Sequence, residues 1–125
     1  MQVRFLPGTP ESMKIIKREQ TQEFKNGNTC IAYEYQIKDP DINIALVKII
    51  GRYPEKGYAA NEICKEIACV IEGEGKVVVE QKEILIKTGD VIFLEPKEKF
   101  YWEGNLTTAM VCTPAWAPEQ HKIVG

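Results

Sequence analysis

The chain has 125 residues, of which 44% are hydrophobic and 27% charged, and its formal net charge is −2 at neutral pH. That is the length and balance of one globular domain with its own apolar core, without the basic excess of a nucleic-acid binder. One histidine, His121, and one serine, Ser12, stand near opposite ends of the sequence, which argues against a Ser-His-Asp hydrolase and excludes a site of several histidines from one chain.

Residues 1–12 carry two prolines and a glycine with little periodicity and read as an arm. Strand-like patterning begins at Met13, with a short apolar piece over Lys14 to Lys17. Asn26-Gly27 marks a turn, and CIAYEYQI from Cys30 to Ile37 follows as a strand. After the turn Lys38 to Asp41, the β-branched run Ile42 to Ile50 suits a strand buried on both faces. Arg52 to Asn61 reads as a loop. Lys65 to Glu72 reads as a strand closed by Gly73-Glu74-Gly75, with Lys76 to Glu80 pairing back across that glycine turn. Short strands over Ile84 to Ile86, Val91 to Leu94, Phe100 to Glu103 and Thr107 to Thr113 complete the set. The terminal PAWAPEQHKIVG is expected to pack over a face. Many short strands joined by Gly, Pro and Asn turns predict an all-β sandwich or barrel in a single domain: arm 1–12, barrel 13–113, closing segment 114–125.

Cys30, Cys64, Cys69 and Cys112 form no C-x-x-C pair, and no second histidine completes a Cys/His zinc set. They are expected as free thiols acting as small core hydrophobes in the reducing cytoplasm. No segment approaches the apolar length of a membrane span.

EIACVIEGEG, from Glu66 to Gly75, followed by TGDVIFLEP, from Thr88 to Pro96, resembles the cupin family. The first cupin motif runs roughly G-x5-H-x-H-x3/4-E-x6-G and the second G-x5-P-x-G-x2-H-x3-N. Glu66 and Gly73 keep the E-x6-G spacing, and Gly89-Asp90 opens the second motif. The resemblance spans about Ile42 to Pro114 and implies a double-stranded β-helix, a jelly-roll barrel. It also implies a divalent metal held by three histidines and a glutamate. Counted back from Glu66, the histidine positions of the first motif fall on Ala60 and Glu62. That of the second falls on Phe100 or, if pinned on Pro96 and Asn105, on Tyr101. Only Glu66 survives of the four ligands, so no metal and no cofactor is expected.

Strand alternation would set Ala60, Glu62, Cys64 and Glu66 on one inward face. Two carboxylates so placed would repel, and one would retain its proton; the alternative is Glu66 paired with a lysine or arginine and Glu62 in solvent. Phe100, Tyr101 and Trp102 either line a pocket for a flat or apolar ligand face or serve core and interface, and Tyr33, Tyr35, Tyr53 and Tyr58 share that ambiguity. His121 either folds back over the barrel mouth as acid or base or stays on the surface. Met110 and Cys112 read as packing.

The first functional reading is a metal-free module that binds or senses a small polar or sugar-like ligand through Glu62, Glu66, Phe100, Tyr101 and Trp102, with no nucleic-acid or membrane partner. The second is a metal-independent isomerase, lyase or epimerase in which Glu62, Glu66 and His121 are the candidate proton carriers. A third is an oxygen-rich metal site at Glu62 and Glu66. Strands with apolar residues on both faces predict a homodimer.

Overall fold

A computed structural model describes residues 13–125, so the expected arm over 1–12 lies outside the described residues. After a short 3-10 turn at Arg18–Gln20 come β1 (Gln22–Lys25), β2 (Cys30–Tyr35), β3 (Asn43–Tyr53), β4 (Tyr58–Asn61) and β5 (Lys65–Val79). Then follow β6 (Lys82–Lys87), β7 (Val91–Leu94), β8 (Phe100–Thr113), a second 3-10 turn at Pro118–Gln120, and β9 (His121–Val124). All pairings are antiparallel. One path runs β1-β2-β3-β8-β4-β9, while β5 pairs with β6, β7 and β8. The sheet curls into a jelly-roll barrel, so the all-β double-stranded β-helix expected from the sequence is the observed architecture.

Strand β8 is the spine. Its Leu106 faces Ile49 on β3 and Gly73 on β5. Alternate residues point inward: Ile92 and Leu94 on β7, Phe100, Trp102 and Leu106 on β8, Ala68, Val70 and Val77 on β5, and Val47 and Ile49 on β3. Phe100 and Trp102 meet edge to face, with ring centroids 6.5 Å apart.

Several sequence expectations are corrected. Lys14 to Lys17 forms no strand; the first is β1. The glycines at 73 and 75 are not a turn, because β5 runs unbroken through them. Gly75 lies opposite Gly104 on β8, and a Cβ on Gly75 would strike the backbone carbonyl of Glu103. Glycine is required there for the close approach of two strands, not for a reversal. A bulge between Val70 and Glu72 gives the same stretch its bend. The reversal comes later, at Glu80-Gln81, whose φ values of 47° and 68° make a two-residue hairpin with both residues left-handed. That turn usually announces itself as Asn-Gly, a signal Glu-Gln does not carry. Similarly, β8 passes through Gly104-Asn105 as one strand where two were expected. The supposed loop Arg52 to Asn61 contains β4, and the terminal segment supplies β9, which pairs with β4 from Tyr58↔Val124 to Asn61↔His121. A strand of four residues just after Pro54 and Gly57 is invisible until its partner is known.

The outer surface keeps large apolar side chains: Ile63, Ile67, Val91, Phe93 and Leu85 are all exposed. Ile67 and Phe93 are cross-strand neighbours on one outward face.

The glycine and hairpin assignments predict opposite stability changes. Gly75→Ala should destabilise by about 1–3 kcal/mol through overpacking. Replacing Glu80-Gln81 with Asn-Gly should stabilise by roughly 0.5 kcal/mol or more. Urea unfolding of both variants checks this; an unchanged midpoint for Gly75→Ala would return the glycines to a turn.

Candidate functional site

A cavity of about 500 Å³ opens into one end of the barrel. Its inner wall is apolar, with Val47, Ile49, Phe100, Trp102 and Met110, and Trp116 of the terminal segment closes over one side. Four strand ends bring the polar groups together. Tyr53 is the last residue of β3, Asn61 the last of β4, Glu66 the second of β5 and His121 the first of β9. The β4–β9 register places Asn61 directly across from His121.

One chain of hydrogen bonds determines the protonation of this group. The backbone N–H groups of Ile63 and Cys64 both donate to Gln120 Oε1, at 3.1 Å each. Gln120 Nε2 therefore faces Asn61 Oδ1 as a donor, at 3.1 Å. Asn61 Oδ1 is thus an acceptor, and His121 Nδ1, 2.9 Å away, must carry a proton to donate to it. Neutral His121 then has its lone pair on Nε2, and the Tyr53 hydroxyl, 2.8 Å away, donates to it. The imidazole also packs at 5.4 Å from the Trp116 ring. Burial lowers the His121 pKa, which keeps the ring neutral and basic at Nε2. Burial, with lesser contributions from the thiol of Cys30 and the carboxyl of Glu66, raises the Tyr53 pKa, so the phenol keeps its proton.

Glu66 is 5% exposed. Asn61 Nδ2 at 3.4 Å and Cys112 Sγ at 3.5 Å donate long bonds to its Oε1. Its Oε2 has no partner, alone among the buried side-chain oxygen and nitrogen atoms of the described residues. Burial raises the Glu66 pKa, and the two long hydrogen bonds only partly oppose this. Among the described residues the ion pairs are those of Lys76 with Glu83 and Glu103, on the outside, so no cation neutralises Glu66. The Cys30 thiol is pushed up to about 11, chiefly by burial, and Cys64 and Cys112 are raised for the same reason. All four thiols are free, and those three are buried packing groups in the protonated form.

The site expected from the sequence is partly reassembled. Glu66, Phe100, Trp102 and His121 border the cavity. Glu62 does not: it is exposed and outside, so the proposed pair of inward carboxylates is not formed. The cause is local. β4 ends at Asn61 and the chain bends over Glu62 and Ile63, with the Glu62 N–H donating to the Gln120 carbonyl at 2.7 Å. Alternation therefore does not run from Ala60 to Glu66. The inward residues of β4 are Ala59 and Asn61, which correspond to the four-residue spacing before the glutamate rather than the three-residue one. In the second motif Phe100 points inward, whereas Tyr101 lies on the outer side, where the Arg52 guanidinium stacks 3.8 Å from its ring centroid. The metal-ligand positions are thus held by Ala59, Asn61, Phe100 and Glu66, a set with one good donor, which does not fit a divalent ion. Among the described residues no three His, Cys, Asp or Glu side chains gather in a metal-ligating group.

Asn61, Gln120 and Trp116 were missed by sequence reasoning, and Tyr53 was indistinguishable among five tyrosines. The one available signal was the alternative spacing, which points at Asn61.

No protein-family model and no curated protein matches the chain. Solved structures do. A variant of Streptomyces PAC13 with uridine superposes with a TM-score of 0.81 at 16% identity, over 90% of this chain and 92% of that one. Pac13 is described as a nucleoside dehydratase. Ectoine synthase from P. lautus gives a TM-score of 0.71 at 16% identity, over 90% of this chain and 91% of that one. KdgF from Halomonas sp. gives 0.66 at 13% identity, over 86% and 97%. These are cupin-fold proteins, and at such identities the likeness shows that this chain has the cupin fold.

The buried Glu66 and the half-buried His121 predict opposing pH effects on stability. With the Glu66 pKa raised from 4.5, the folded state binds more protons than the unfolded one above that pH, so stability falls as pH rises through the shifted window. With the His121 pKa lowered from 6.5, the unfolded state binds more protons below that pH, so stability falls as pH drops. Unfolding free energies measured from pH 4 to 8 should lose the first slope in Glu66→Gln and the second in His121→Gln. A Glu66→Gln profile parallel to the parent would show that the carboxyl is ionised without penalty.

Proposed function

We propose that the protein binds a small polar molecule in the barrel cavity and moves protons on it without a metal, as a lyase or isomerase. The observation that carries this is the contact between the Tyr53 hydroxyl and His121 Nε2, 2.8 Å, on the cavity wall. Elimination and isomerisation each need one proton removed and another delivered. Neutral His121 is the base at rest, and the phenol of Tyr53 is the donor already aligned with it. Once Tyr53 has given its proton to a substrate oxygen, the bond to His121 lets a proton taken by Nε2 return to it. Asn61 fixes the ring and the tautomer, as a positioning residue. Glu66 faces the same space, and Phe100, Trp102 and Met110 offer apolar surface to a sugar or ring face. A cavity of about 500 Å³ holds a molecule of nucleoside or disaccharide size. Pac13, with uridine and a dehydratase description, supports this choice over a binding module.

The test is turnover on a panel of nucleosides, sugars and hydroxy compounds. Tyr53→Phe and His121→Gln should each lower kcat about 10²- to 10⁴-fold while leaving the fold intact. Asn61→Leu should lower kcat and shift the pH-rate profile as the imidazole loses its tautomer. Ligand binding with no turnover by the parent protein would favour the sensing module instead.

The whole chain acts as one domain, and its free thiols suit the cytoplasm. It works as a homodimer through the outward face of β5 and β7, where Ile67, Val91 and Phe93 stand exposed beside the edge strand β7. Sedimentation should give twice 14.2 kDa at micromolar concentration, with Phe93→Lys reducing it to the single-chain mass. A parent protein that sediments as a single chain would sink the dimer.

A further inference from the structure

The unpartnered oxygen of Glu66 says what kind of molecule the cavity takes. Desolvating a carboxyl without giving both its oxygens partners is costly, and the fold leaves Oε2 enclosed without a partner on a side chain that borders the cavity. Oε1 already receives Asn61 Nδ2 and Cys112 Sγ, so a proton on the carboxyl belongs on Oε2, the oxygen with no protein partner. The charge of the surrounding wall is equally informative. Among the described residues bordering the cavity the only cation is Lys25, exposed at the mouth, against the carboxylates of Glu34 and Glu119. The Arg52 guanidinium is engaged outside, donating to the carbonyls of Pro54 and Gly57 and stacked on Tyr101. An anionic ligand would enter past two carboxylates and find no buried positive charge to replace its water.

We infer that the carboxyl O–H of Glu66 is the deep recognition contact, donating a hydrogen bond to a carbonyl or hydroxyl oxygen of an uncharged substrate, and that phosphorylated or carboxylated forms of that substrate are rejected. The burial that raises the Glu66 pKa acts in the same direction. This rests on the reading above only in taking the same cavity as the binding site; it requires no turnover.

Two measurements test it. Infrared difference spectra of the parent against Glu66→Gln at neutral pH should show the C=O stretch of a protonated carboxyl, shifting when an uncharged ligand binds. Ligand-observed NMR should compare common nucleosides and hexoses with their monophosphates. The uncharged members should bind at least about tenfold more tightly. Glu66→Gln, whose amide N–H still donates, should retain them within a few-fold, and Glu66→Met should lose about tenfold. A carboxylate band in the parent, tighter binding of the phosphates, or unchanged affinity in Glu66→Met would overturn the inference. The first readout needs no folded Met variant and no identified substrate. Loss of kcat in Tyr53→Phe alongside a carboxylate band would sink this inference and leave the proton-transfer reading standing. An acid band with normal kcat in Tyr53→Phe would do the reverse.

Discussion

Gln120 accepts hydrogen bonds from the N–H groups of Ile63 and Cys64, and backbone amides cannot exchange the roles of donor and acceptor. The donor and acceptor roles of Asn61, His121 and Tyr53 follow from those two bonds. The Gln120 amide is oriented by them, Asn61 by Gln120, His121 by Asn61 and Tyr53 by His121. A chain of amides thus does what a carboxylate commonly does for a histidine: it holds one ring nitrogen as a donor and leaves the other basic. The difference is charge. A buried carboxylate would stabilise an imidazolium and raise its pKa, whereas Asn61 stabilises it only as a dipole. The arrangement favours a neutral ring.

The same backbone bend that provides those amides also separates the two glutamates. Glu62 and Ile63 leave the sheet where β4 ends, and the exposed carboxyl of Glu62 lies outside while that of Glu66 is enclosed by β4, β7 and β8. The polar groups of the site stand at strand ends and the apolar ones further along the strands, Phe100 and Trp102 on β8 and Val47 and Ile49 on β3. A strand end has free backbone groups to offer a polar side chain, and a strand interior does not. Enclosing Tyr53, Asn61, Glu66 and His121 among apolar side chains is costly except where nearly every donor and acceptor is matched, and among the buried side-chain atoms of the described residues only Glu66 Oε2 falls short.

The barrel was legible in the sequence where turn residues bracket an apolar run. Val91 to Leu94 lies between Thr88-Gly89-Asp90 and Pro96, and its strand was placed to the residue. Phe100 and Trp102 likewise announce one inward face. Reading failed where a residue serves the backbone of another strand. Gly73, Gly75 and Gly104 look like turn formers because glycine permits reversal, yet here the facing strand leaves no space for Cβ. At the site, Glu66 and His121 were visible as chemistry, but Asn61 was not, because a single asparagine beside a bend signals a turn far more often than a relay. Its role depends on β9, whose pairing joins residues about sixty positions apart, and no local pattern records that.

None of the positions where the cupin motif carries a metal-binding histidine holds one here, and the chain's single histidine stands on β9. Ala59 and Phe100 present no donor atom. The imbalance this leaves is a buried glutamate with nothing to coordinate. In a metal site its charge would be matched by the cation; here no described cation reaches it, and burial instead favours the protonated acid. The imidazole then arrives from β9, on the opposite side of Asn61 from Glu66, so Asn61 donates to the acid through Nδ2 and accepts from the base through Oδ1. One amide thereby separates an acid from a base in the same cavity without letting them neutralise each other. Were His121 and Glu66 in direct contact, the proton would pass to the ring and leave an ion pair, with neither group free for substrate. The amide between them leaves the ring with a free lone pair at Nε2 and the carboxyl without a base in contact to take its proton.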